Sequence, residues 1–363
     1  MVRFSDIKGI REKESAKDKP EDKAAEKEEI RLSDTQMLGL GESTSAFEVQ
    51  DLQEVNPEVA AYYEKFVKRA IEISDRAKNN QGISPSPILS DLHHIIKNDL
   101  IDPLFEYAMS VKHGYDDSIV HNIEVTFASL KLGKGRGYDT KKLLKLGLAA
   151  FFQNLGMCEI PQEILKKKGK LNGKEVKMVR SHPEVCARML SQLGERYKWL
   201  QEIVLQVHER SDGSGYPRGL RGPEISEMAS IIGLCDTFLA MIKKRPYRDK
   251  IMRPDAVRFI IREAKGQFPP GILKVFLNQI SLFPINTYVR LNNKSIGRVV
   301  STDRNQPLRP TVELLYDGQG RRLKEKEIVK LSEHPLLHIV LRPLGKSNQG
   351  NTANTADGAL MVD

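Results

Sequence analysis

The polar and apolar positions divide the chain into five stretches of different texture. Residues 1–45 mix charges and hold few large apolar side chains, so burial could not offset the entropy of ordering them, and a disordered charged tail is predicted. Over residues 46–113, Ala61, Phe66, Ala70, Ile71 and Ile73 fall near a 3.6-residue period, which predicts an amphipathic helix. The breaker Gly82-Ile-Ser-Pro-Ser-Pro87 ends it, and Leu89, Leu92, Ile95, Ile96 and Leu100 predict a second helix. This N-terminal helical region is expected to pack on the main domain or to pair with a second copy of the chain. Residues 114–284 are predicted to be a larger helical domain. Within it Leu200, Ile203, Val204 and Val207 form one apolar stripe, and residues 231–242 are apolar almost all round apart from Asp236. Beyond Pro284 the period drops to two: residues 288–291, 296–300 and 311–316 alternate around Asn292-Asn293-Lys294 and Asp317-Gly318. A small antiparallel β module over residues 285–343 follows, and residues 344–363, rich in Asn, Gly, Ser and Thr, are predicted to be a second disordered tail. The fold class expected is mainly α, a helical domain with a small C-terminal antiparallel β module and a disordered N-terminal tail.

Composition narrows this picture. Apolar residues make up 40% of the 363 residues and Phe, Trp and Tyr only 6%, which suits a helix-leaning globular protein. The three cysteines, Cys158, Cys186 and Cys235, are far apart and lie in apolar stretches, so neither a disulfide framework nor a thiolate zinc site is indicated. No apolar run is long enough to span a bilayer and the N-terminus has no apolar leader segment, so no membrane insertion and a cytoplasmic location are expected. The formal charge is +9, while the first 45 residues carry 9 Lys and Arg against 11 Asp and Glu, so the positive excess lies in the rest of the chain. That excess suits a phosphate-bearing ligand, and scattered solvated lysines explain it equally well.

Several residues are placed for chemistry by their own surroundings. Asp117 and His121 stand four apart and share one helix face, a spacing open to a metal pair or to an ordinary surface pair. His182 precedes Pro183, as in a helix's first turn, which leaves a ligand and a capping histidine both open. Asp236 is buried by its neighbours, so its carboxylate requires a metal, a cation or strong hydrogen-bond donors. Gly213-Ser-Gly215-Tyr216-Pro217 combines flexible backbone with a rigid turn, which lets peptide groups and a ring approach a ligand.

The order of these parts carries more than any one of them. His121, Gln153-Asn154, Gly169-Lys-Leu-Asn, His182-Pro, His208-Glu-Arg-Ser-Asp-Gly-Ser-Gly-Tyr-Pro217, Asp236 and Arg245-Pro-Tyr-Arg248 succeed one another over roughly 165 residues, the size of one domain. The series resembles the signature of HD-GYP domains, metal-dependent phosphohydrolases that open cyclic di-GMP, in which the helical domain is of the HD type. The resemblance implies that Asp117, His121, His182, His208 and Asp236 stand at metal-ligand positions. It also implies that Gly213, Gly215, Tyr216, Pro217, Arg245 and Arg248 stand at ligand-binding positions. Four positions depart from the family pattern. Gln153 and Asn154 replace the His-Asp pair, Met157 a phosphate-contacting Lys, and Val207 the first His of a His-His-Glu triplet.

Those replacements remove what a two-metal hydrolase needs. A bridging carboxylate holds two cations together and neutralises charge between them, whereas the Asn154 amide is neutral, and Gln153 offers an amide where an imidazole binds iron, manganese or zinc far better. A site with one divalent ion, iron, manganese or zinc, or with none, is expected. The leading expectation is therefore a degenerate, non-catalytic regulator in cyclic-dinucleotide signalling. It would bind cyclic di-GMP, a related nucleotide, or a signalling partner through the Gly-Tyr-Pro loop or the β module, with a homodimer open. A residual cyclic di-GMP phosphodiesterase on a reduced metal site and a basic nucleic-acid-binding scaffold stand as alternatives.

Overall fold

The computed structural model describes residues 56–340 apart from 111–113, 168, 244–251, 263, 265, 281–282, 284, 286, 304–305 and 307. The two predicted tails, 1–45 and 344–363, and both Arg245 and Arg248 lie outside the described residues. The described residues form one compact unit.

The first helices are α1 (Pro57–Lys78), α2 (Ser86–Lys97) and α3 (Ile101–Ser110). Asn56 caps α1 by accepting from the Glu58 amide, and Pro57 fills the first turn, where a missing N–H costs nothing. The buried stripe of α1 is Val59, Tyr63, Phe66, Val67, Ala70, Ile73 and Ala77. Ala61 and Ile71, expected on that stripe, are exposed, because Tyr63 and Val67 complete the apolar face on the other side of Phe66. The second predicted helix also ends earlier than its apolar period suggests. Asn98 caps α2, Asp99 turns the chain at φ 56°, and Leu100 starts a new direction into α3.

The site is built on α4 (Asp117–Gly135) and α5 (Thr140–Phe152). A 3-10 turn (Leu155–Glu159), α6 (Gln162–Leu165), α7 (Gly173–Arg180), α8 (His182–Leu190) and α9 (Lys198–Gln206) follow, then α10 (Glu227–Ile242), α11 (Arg253–Arg262) and α12 (Pro270–Gln279). Helix α4 packs against α1, α3, α5, α10 and α12, and it is buried from Ile123 through Gly133. Helix α10 is buried from Ala229 through Met241. Asp236 lies within the buried run of α10 and His121 just before that of α4, and both side chains are buried. The N-terminal helices pack on the larger helical domain, α1 and α3 against α4 and α2 against α5.

After Ile280 comes a sheet of four antiparallel strands in sequence order: β1 (Tyr288–Arg290), β2 (Ile296–Ser301), β3 (Thr311–Tyr316) and β4 (Arg322–Lys330). Val289, Val299, Val312 and Val329 are buried, and Val299 pairs with Val312, which pairs with Val329. Strand β4, Arg-Leu-Lys-Glu-Lys-Glu-Ile-Val-Lys, was not legible as a strand because its charges suit a helix; at the sheet edge those same charges discourage pairing with other chains. Among the described residues no helix is long and apolar enough to cross a membrane.

Gly156 shows how tightly the elements close. A Cβ there would lie 2.1 Å from the His182 carbonyl oxygen and 2.8 Å from the Cys186 nitrogen, so only glycine lets the 3-10 turn sit on the start of α8. Gly156→Ala is expected to lower stability by about 2 kcal/mol, read as the urea midpoint. Gly173→Ala, at the first position of α7 with nothing within 4 Å, is the neutral comparison. Equal midpoints for both variants would show that the turn can yield.

Candidate functional site

Each polar side chain at the site arrives from a helix end or a buried helix face. His121 lies one turn into α4, Gln153 is the residue after α5, His182 is the first residue of α8, His208 follows the end of α9, and Asp236 is in the middle of α10. All five are buried. His121 Nε2 is 2.9 Å from Asp236 Oδ1, and the Gln153 amide donates to the same oxygen at 3.4 Å. His182 and His208 meet Nε2 to Nε2 at 3.0 Å.

Burial sets the charge state of the histidine pair. His182 is pushed down to about 4, chiefly by loss of water, against the opposing pull of the Val179 carbonyl and Asp236. His208 is held well below the ordinary imidazole range, first by burial, then by His182, with Arg210 and Arg180 adding to it and Asp236 opposing. Both rings are therefore neutral near pH 7, and their tautomers follow from their partners. His182 Nδ1 donates to the Val179 carbonyl at 2.8 Å, which leaves its Nε2 lone pair to accept from Nε2–H of His208. His208 Nδ1 then carries a lone pair, and it has no hydrogen-bond partner among the described residues.

The Gly-Tyr-Pro loop is anchored from beneath. Tyr216 stacks on His208 with ring centroids 4.9 Å apart and planes 3° from parallel, and its amide donates to the His208 carbonyl at 3.2 Å. A Cβ on Gly215 would fall 2.4 Å from both the Arg210 nitrogen and the His208 carbonyl oxygen, and Gly213 sits at φ 82°, so both positions call for glycine. Pro217 follows Tyr216 through a cis peptide bond. Glu209 accepts from the amides of Arg218 at 2.7 Å and Leu220 at 2.9 Å, and Glu159 pairs with Arg188 at 2.7 Å. Neither carboxylate is free to stand in for a lost ligand.

The structure brings His121, Gln153, His182, His208, Asp236 and Tyr216 together. Asp117, at the exposed start of α4, forms no hydrogen bond or ion pair with the described residues. Asn154 and Met157 are half-buried at the 3-10 turn, and Val207 is buried in the α9 stripe, its carbonyl packed beside Gly233 of α10. Among the described residues no three His, Cys, Asp or Glu side chains stand together as a metal cluster.

Sequence reasoning missed two arginines. Arg210 donates to the Val207 carbonyl at 3.1 Å and to Thr237 Oγ1 at 3.1 Å, tying the loop to α10. Arg180, the last residue of α7, lies over the Tyr216 ring with its guanidinium carbon 5.1 Å from the centroid. Its one signal in the sequence is its place two residues before His182, which any solvated lysine or arginine could share.

Comparison with known proteins adds family to geometry. A model of the HD domain matches residues 103–272, and a model of a KOW domain associated with the HD domain matches residues 288–343. The cyclic di-GMP phosphodiesterase PA4108 of Pseudomonas aeruginosa is 29% identical over 212 residues, covering 58% of this chain and 51% of that one. The cyclic di-GMP phosphodiesterase PdeB of Borreliella burgdorferi is 25% identical over 231 residues, covering 64% and 60%. The chain thus spans about half the length of these relatives. The solved structure of Bd1817, a HDG"Y"P protein from Bdellovibrio bacteriovorus, aligns with a TM-score of 0.45 at 15% identity, over 63% of this chain and 73% of that one.

Proposed function

Because this chain belongs to the HD-GYP family of HD-domain proteins, we propose that it binds a cyclic dinucleotide, cyclic di-GMP or a close relative, without hydrolysing it, and acts as a regulator. The observation that carries this reading is that the buried polar groups at the site contact one another directly, with Gln153 Oε1 and His208 Nδ1 left without a hydrogen-bond partner among the described residues. Asp236 receives His121 and Gln153, and His182 accepts from His208. A histidine that binds a metal through Nε2 ordinarily donates its Nδ1–H to an acceptor that orients the ring. His182 has such an acceptor in the Val179 carbonyl, whereas His208 Nδ1 has none among the described residues. The set does not fit a pair of cations, since Asn154 cannot bridge them and Gln153 presents an N–H toward Asp236. One iron, manganese or zinc ion is the most that His121, His182, His208 and Asp236 would hold.

Recognition outlasts chemistry in this reading. Tyr216 and the glycine loop offer a ring and close backbone, Arg245 and Arg248 stand at positions that the family resemblance assigns to phosphate contacts, and relatives act on cyclic di-GMP. A partner protein would read the bound state through the Gly-Tyr-Pro loop or the β module. The test is turnover of cyclic di-GMP by protein reconstituted anaerobically with iron or manganese, with linear dinucleotide and GMP separated by chromatography, beside Asp236→Ala. No product from either protein, together with saturable binding of cyclic di-GMP by the parent, is expected. Turnover that disappears in Asp236→Ala would make the protein an enzyme and end the proposal.

A further inference from the structure

We infer that Arg180 is an anion-binding residue of this site, placed to hold a phosphodiester oxygen of the dinucleotide; the inference rests on the binding half of the function proposed above. Several arginines of the helical domain already have acceptors. Arg136 pairs with Glu227, Arg188 with Glu159 and Arg218 with Glu202, and Arg210 is spent on carbonyls and Thr237. The Arg180 guanidinium makes no hydrogen bond or ion pair with the described residues, although its Nε is shielded from solvent. A shielded donor without an acceptor is costly, and arginine's planar fork matches two oxygens of a phosphate.

The surroundings select an anion and give it direction. The guanidinium lies over Tyr216, whose ring also stacks on His208, so the aromatic contact fixes Arg180 beside the loop. The carboxylates nearby are already engaged, Asp236 with His121 and Gln153, and Glu209 with the amides of Arg218 and Leu220. The α7–α8 junction, where His182 follows Arg180 by two residues, thus places positive charge beside the site. The Arg180 charge there attracts a phosphate and opposes a cation, which agrees with binding that needs no metal.

The test is equilibrium binding of fluorescently labelled cyclic di-GMP to the full chain in excess EDTA, at several salt concentrations. Arg180→Ala is expected to weaken binding at least about tenfold and to flatten its salt dependence, the size expected for losing one bidentate charged contact. Arg180→Lys should recover part of the affinity and all of the salt slope, which a packing role would not produce. Arg188→Ala, whose partner is Glu159, should bind like the parent. Equal affinity and slope for parent and Arg180→Ala would overturn the role of Arg180 and leave the non-hydrolysing reading standing. A parent that fails to bind in EDTA would overturn both the inference and the binding half of the proposed function.

Discussion

Gln153→His combined with Asn154→Asp is expected to raise manganese affinity by at least about 100-fold and to increase bound metal per chain above that of the parent. The outer-shell partners of a metal ligand alone are worth 10–100-fold, and this pair restores two direct ligands. In the parent the Gln153 amide points an N–H at Asp236 Oδ1, and an N–H bond cannot serve a cation. An imidazole at 153 turns a lone pair inward, and a carboxylate at 154 supplies the charge that lets two cations share a bridge. Position 153 is buried at the end of α5 beside Asp236, so the new ring would be in reach of the site. The change leaves Val207 in the buried stripe, because a polar ring there would lose its packing between α9 and α10. Metal content after dialysis, measured by elemental analysis, decides the matter. A double variant with no more manganese than the parent would show that residues 153 and 154 are not what limits the site.

The second large effect is on stability in acid. His182 titrates near 4 in the folded protein, below the ordinary value of 6.5. Between those values the unfolded chain binds a proton that the folded chain refuses, so stability present above pH 6.5 is lost as pH falls toward about 4. The loss for His182 is about 3 kcal/mol, and His208, depressed in the same direction, adds to it. Glu124 works against this. Burial, opposed by Lys243, raises its carboxyl from 4.5 to about 7, so its contribution is lost as pH rises through that range and regained on acidification. A single pH profile therefore mixes opposing slopes, and a comparison separates them. His182→Asn keeps a donor for the Val179 carbonyl and cannot take up a proton. Denaturant unfolding at pH 7 and pH 4.5 should show the parent losing about 2–3 kcal/mol more than the variant. Parallel pH profiles would mean that His182 is not held neutral by its surroundings.

Much of the fold was legible because it depends on local spacing. The all-round apolar run holding Asp236, the Leu200 to Val207 stripe and the alternation after Pro284 became α10, α9 and the strands. The failures have local causes as well. Asp99 broke the second helix through a backbone turn that the apolar period does not encode, and β4 hid because Lys-Glu repeats carry no strand signal. At the site, residue types and order picked out His121, His182, His208 and Asp236. Their pairing was not visible, since it joins residues up to 115 positions apart.

By itself, the sequence determined which side chains can take part in chemistry here: Asn154 has no charge to bridge cations, Val207 has no ring nitrogen, and glycines 213 and 215 permit a loop that other residues would strain. Only the tertiary structure decided what those side chains do. The crossing of α4 and α10 turned His121 and Asp236 into partners, and the meeting of α8 with the end of α9 made His182 the acceptor of His208. The close of α7 set Arg180 over Tyr216 with no acceptor among the described residues. The physical reason is that ligand strength belongs to the side chain, whereas protonation, tautomer and partner depend on burial and distance, which exist only once the helices have packed.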